Sequence, residues 1–93
     1  MESVIQKDKK CFVCETTIGL ECHHCLHGTA NRKLAEQYGL KVWLCHDHHT
    51  GGKQSVHHNK DMDDHFKKVA QKHFERVHGD RDTFRMIFGK SYL

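Results

Sequence analysis

Five cysteines and eleven histidines in 93 residues are the side chains best suited to chemistry, and they cluster. Cys11 and Cys14 are spaced C-x2-C. Cys22 and Cys25 repeat that spacing around His23 and His24, and Cys45 and His48 form C-x2-H directly before His49. A two-residue spacer lets a tight turn aim two ligands at one tetrahedral ion. Cys11, Cys14, Cys45 and His48 therefore form a Cys3His set suited to a structural zinc. Cys11, Cys14, Cys22 and Cys25 form a competing set. Its two pairs are only seven residues apart, short for turns that must face each other, and it leaves Cys45 and His48 without a role. The first set is preferred, and Cys22 or Cys25 then reads most simply as a small apolar strand residue.

The composition explains why such a staple is needed. A chain this short, 37% hydrophobic and without proline, builds a small core and gains from a metal. The odd cysteine count argues against a closed disulfide framework, and no secretory signal precedes the cysteines. No apolar run approaches a membrane span. The expectation is a reduced, cytoplasmic protein with no membrane partner. A net charge of +3 is compatible with a phosphate-bearing partner and with an ordinary surface.

The elements that position these residues follow from pattern. Residues 1–10 read as a polar lead-in without firm structure. Ile18-Gly19-Leu20 suggests a turn into a strand near 20–25, where His23 and His24 point to opposite faces. "TANRKLAEQYGL" predicts a short helix, capped by Thr29 or Asn31, with Leu34 and Tyr38 on one face and Gly39 as its stop. "LKVWL" reads as a second strand ending at Cys45, with Trp43 in the core. "HDHHTGG" starts a helical turn that Gly51 and Gly52 break. The clearest helix spans 60–78: Met62, Phe66, Val69, Ala70, His73, Phe74 and Val77 repeat at i, i+3 and i+4. Asp61, Asp63 and Asp64 suit its first turn, and Arg76 and His78 its last. A shorter helix over 82–88 offers Phe84, Ile87 and Phe88. The expectation is one α+β domain over 1–93, with the metal residues in 11–58 and a helical scaffold in 59–93.

Cys11-x2-Cys14, then His23-His24 at a strand end, then Leu44-Cys45-x2-His48-His49 opening a helical turn resembles the HNH endonucleases of the ββα-metal (His-Me finger) superfamily. The likeness covers residues 11–58. It is closest to small phage and prophage members with a zinc knuckle, which carry "HGTANR" (His27 to Arg32) between the motifs and "VHxN" (Val56, His57, Asn59) after them. The resemblance implies a two-stranded antiparallel ribbon plus helix, braced by the zinc knuckle and followed by further helices. It gives His24 the role of general base, and makes His23, His49 and His57 ligands of a catalytic divalent ion, with His58 an alternative third ligand. The family asparagine has no counterpart before the second strand, where Gly39-Leu40 stands; Asn31 is the nearest candidate.

The activity so implied is DNA phosphodiester hydrolysis, as endonuclease or nickase, leaving 5′-phosphate and 3′-hydroxyl ends. A neutral histidine can take a proton from water, while a divalent ion polarises the phosphate. All-nitrogen ligands favour manganese, cobalt or nickel over magnesium. Arg32, Lys33, Lys41 and Lys53 flank the motifs and suit the DNA backbone, where cations hold without reading sequence. The rival is a catalytically inactive zinc protein of the same shape that binds DNA or a host protein as a phage-encoded regulator; retention of His23, His24 and His49 favours the enzyme.

Overall fold

The computed structural model describes residues 2–93. In chain order the elements are β1 (Leu20–His24), α1 (Thr29–Tyr38), β2 (Lys41–Cys45), a π-helical turn (Asp47–Gly51), α2 (Lys60–Val77) and α3 (Arg81–Phe88). The fold is α+β. Its sheet is a two-stranded antiparallel ribbon with Leu20 opposite Cys45 and His24 opposite Lys41.

Alternation along β2 buries Val42 and Leu44 on one face. Trp43, expected in the core, lies on the other face and is half-buried, with the Lys9 ammonium 4.6 Å from its ring centroid. Over residues 2–10 the polar lead-in forms no helix or strand, yet it is held. Val4 N–H donates to the Gly39 carbonyl at 2.9 Å, the Gln6 side-chain oxygen accepts from Trp43 N–H at 2.8 Å, and Val4 and Ile5 pack on the core. It therefore satisfies backbone groups of β2 that the two-stranded ribbon leaves open. That docking crosses Gly39, where a Cβ would collide with the Glu2 carbonyl and where φ is 72°, so glycine is required on both counts.

The cap of α1 differs from expectation. Gly28 is the N-cap, without a side-chain hydrogen bond, and Thr29 and Asn31 lie inside the first turn. The other caps follow the usual chemistry: Asn59 accepts from Met62 N–H at the start of α2, and Asp80 from Thr83 N–H at the start of α3. Phe66, Ala70 and Phe74 of α2 are buried and meet Phe84 and Phe88 of α3 in the core, with Leu26, Leu40, Val42 and Leu44 behind them. Val77, expected on that buried face, is half-exposed. Gln71 is buried instead: its amide donates to Glu75 and Ser91 and accepts from Tyr92 N–H, which fastens the chain end. Among the described residues, no helix is long and apolar enough to cross a membrane.

Candidate functional site

The tight turn at Cys11–Cys14 and the end of β2 bring one group of soft ligands together. Cys14 Sγ lies 3.8 Å from Cys45 Sγ, and His48 Nδ1 lies 3.2 Å from Cys45 Sγ and 3.7 Å from Cys11 Sγ. A tetrahedral zinc at ~2.3 Å from sulfur and ~2.0–2.1 Å from nitrogen requires ligand atoms ~3.8 Å (S–S) and ~3.5 Å (S–N) apart. The three spacings observed lie within about 0.3 Å of the edges such a tetrahedron requires. Main chain sets the turn: Phe12 N–H donates to the Trp43 carbonyl at 2.8 Å, and Cys11 N–H to the Thr16 carbonyl at 2.8 Å. Burial pushes the Cys11 thiol up, but the N–H groups of Cys14, Cys45 and Val13 outweigh it and draw the thiol down to about 6, which favours the thiolate a metal needs. The Cys3His set can thus hold a metal ion, and its donors fit zinc. Among the described residues Cys22 and Cys25 do not join Cys11 and Cys14 in a ligand group, and burial pushes the Cys25 thiol well up.

A second group forms beside it. One nitrogen each from His23, His49 and His57 lies within 4.8 Å of the others. His23 comes from the end of β1, His49 from the π-helical turn, and His57 from the loop that follows. That loop folds back on the turn, with Val56 N–H donating to the His48 carbonyl at 2.8 Å and His57 N–H to the His49 carbonyl at 3.2 Å. His49 Nδ1–H donates to Glu21 at 2.8 Å, so its Nε2 faces His57 Nε2, 3.1 Å away. Two nitrogens on one tetrahedral ion sit ~3.3 Å apart. His58 is not part of this group; His57 is.

His23 supplies the firmest sign of a ligand. It is 2% exposed, packed edge-on against His49, His57 and Phe66, and among the described residues its Nε2 has no hydrogen-bond partner. A buried polar atom left bare costs about 1–3 kcal/mol. Burial first, and then the neighbouring His49 and His57, draws its value down to about 3, so the ring is a neutral donor. His57 is lowered too, by burial first and then by His49 and His27. Glu21 is lowered by its bond to His49 and stays ionised, as a group that fixes a ligating imidazole must.

A cleft of about 890 Å³ opens over this trio, lined also by His24, His27, Arg32, Lys33 and Glu36. Of the four cations expected at a nucleic-acid backbone, the cleft takes in Arg32 and Lys33. Lys41 is instead paired with Glu36 at 2.6 Å, and Lys53 is exposed on the loop beyond the turn. Among the described residues the lining does not include Asn31, which is half-buried in the first turn of α1. His27 donates to Asp63 of α2 at 3.0 Å. His46 is exposed, with Glu21 3.6 Å away.

Two carboxylates escaped the sequence reading. Glu21 sits two residues before His23 on the same strand face, and that parity is a signal the sequence does carry. Glu36 accepts from His24 Nε2–H at 2.9 Å; nothing local in the sequence joins them. Comparison with known proteins finds no matching family model, no matching curated protein and no matching solved structure.

Proposed function

We propose that this chain is a metal-dependent DNA endonuclease or nickase of the HNH type. In this reading the ribbon and the turn after it form a ββα-metal site, and the Cys3His group is its zinc knuckle. The observation that carries the reading is His23: its buried Nε2 has no partner among the described residues, its ring brings one nitrogen within 4.8 Å of nitrogens of His49 and His57, and all three line a cleft that also holds His24. A structural zinc needs no cleft, and the knuckle already supplies the brace.

The roles follow from position. His23, His49 and His57 would hold a divalent ion, which when bound supplies Lewis-acid stabilisation of charge on the phosphate and the leaving oxygen. His24 takes the proton from the attacking water. Arg32 and Lys33 hold backbone phosphate at the cleft wall. The Glu21 carboxylate orients His49. Nitrogen ligation favours manganese, cobalt or nickel over magnesium.

The test is incubation of the purified zinc-loaded protein with supercoiled plasmid and each divalent metal in turn. Nicked or linear product with 5′-phosphate ends is expected, and it should be lost in His24→Ala. Absence of cleavage with every metal refutes the assignment.

A further inference from the structure

His24 and Lys41 are directly opposed across the ribbon, so their side chains leave the same face. Glu36, from α1, bridges them: His24 Nε2 is 2.9 Å from one carboxylate oxygen and Lys41 Nζ 2.6 Å from the other. Lys41 first, and His24 second, hold the Glu36 carboxyl down to about 2, so it is anionic at neutral pH. An ionised carboxylate can only accept. The proton in the bond to His24 therefore belongs to Nε2, and in the neutral ring Nδ1 is the nitrogen left with the lone pair.

From this geometry we propose that Glu36 is the positioning residue for His24, fixing its Nε2–H tautomer so that Nδ1 is the atom that removes the proton from the attacking water. The inference rests on the nuclease reading above. In the step, the water oxygen bonds to phosphorus as one of its protons passes to Nδ1. The bond from phosphorus to the 3′ oxygen breaks, and that oxygen takes a proton from solvent. The imidazolium left on His24 carries protons on both nitrogens, one still shared with the Glu36 carboxylate, which offsets its charge. Lys41, its side chain 20% exposed, holds the second oxygen and keeps the carboxylate from turning away. Lys41 thus acts through Glu36.

A carboxylate that merely tied α1 to the ribbon would leave the tautomer and kcat alone, so the experiment measures both. Long-range proton–nitrogen NMR of labelled, zinc-loaded protein at pH 8 reports which His24 nitrogen is protonated, with His24→Gln identifying its signals. Wild type should show Nε2–H, and Glu36→Gln a mixture containing the Nδ1–H form. With a fluorescent DNA duplex and manganese, Glu36→Gln should lower kcat about 10²-fold or more, as expected when a base loses its orienting carboxylate, with KM within about twofold. Lys41→Met should lower kcat less, again with little change in KM. Glu36→Gln preserves volume at a half-exposed position but gives up the ion pair with Lys41, so it should stay folded and melt only a few degrees below wild type. An active wild type whose tautomer ignores Glu36, or variants that raise KM with kcat unchanged, overturns this assignment alone. A wild type with the expected tautomer response that cuts no DNA with any metal overturns the nuclease reading, and the proton transfer with it.

Discussion

Cys14 is an exposed residue whose loss should unfold the protein. Its thiol adds nothing to the apolar core, and an exposed, near-isosteric change such as Cys14→Ser is ordinarily worth within about 0.5 kcal/mol. Its Sγ nonetheless stands 3.8 Å from Cys45 Sγ, on one edge of the Cys3His group. Structural zinc contributes about 10–16 kcal/mol of folding free energy in small peptides. A chain of 93 residues has a total stability of only about 5–14 kcal/mol. Unless the total lies at its upper end, losing a quarter of the ligand set need remove only part of the zinc term to exceed it. Even a loss of 2.5 kcal/mol, roughly half the lower bound, lowers the melting midpoint by about 10–20 °C. The assay is metal content by elemental analysis together with thermal melting by circular dichroism, on Cys14→Ser and on wild type stripped with a strong chelator. The expected result is zinc falling from one ion per chain to near none, with the cooperative transition lost or shifted far down in both samples. A zinc-free Cys14→Ser protein that melts within about 3 °C of wild type refutes the reasoning, because the four ligands would then be neighbours without an ion.

Other perturbations address the cleft. His24→Ala should reduce plasmid cleavage about 10²–10⁴-fold while DNA affinity, measured by fluorescence anisotropy, holds. Glu21→Gln removes the carboxylate 2.8 Å from His49 Nδ1 and should weaken manganese binding at the histidine trio about 10–100-fold by calorimetry, leaving the tightly held zinc in place. Manganese, cobalt or nickel should outperform magnesium in cleavage at matched ionic strength, and His23→Asp should narrow that gap; an unchanged ranking speaks against nitrogen ligation. Burial first, and then Arg76, lowers the His73 value below its ordinary 6.5 in the folded state. Below about pH 6.5 the unfolded chain takes up that proton more readily, so this group's share of stability is full above the window and declines as the pH falls through it. The urea midpoint of His73→Gln should accordingly fall less than that of wild type between pH 7.5 and 5.5.

What was legible in the sequence was whatever rests on near neighbours. Alternation in β2, the i, i+3, i+4 repeat that buries Phe66, Ala70 and Phe74, and the paired ligand spacings each depend on a few adjacent residues. What was not legible depends on distant partners. Gly28 replaces the expected side-chain cap of α1. The lead-in is held because β2 has an open edge, which its own charged composition conceals. Lys41 looked like a free cation until α1 placed Glu36 against it, and the bond from Glu36 to His24 spans twelve residues. Val77 follows the buried repeat, but at the last turn of α2 the core has already ended.

The π-helical turn carries a consequence for how this segment can vary. Its Gly52 N–H reaches back five residues to the Asp47 carbonyl, and within it His48 and His49, adjacent in sequence, serve different ligand groups. Surface connections ordinarily absorb insertions and deletions with little harm. This one has no such freedom, because lengthening or shortening it by a single residue between Cys45 and His49 would rotate each imidazole out of its own group and towards its neighbour's. Cys45 to His49 is a five-residue word, with its spelling and its length held together.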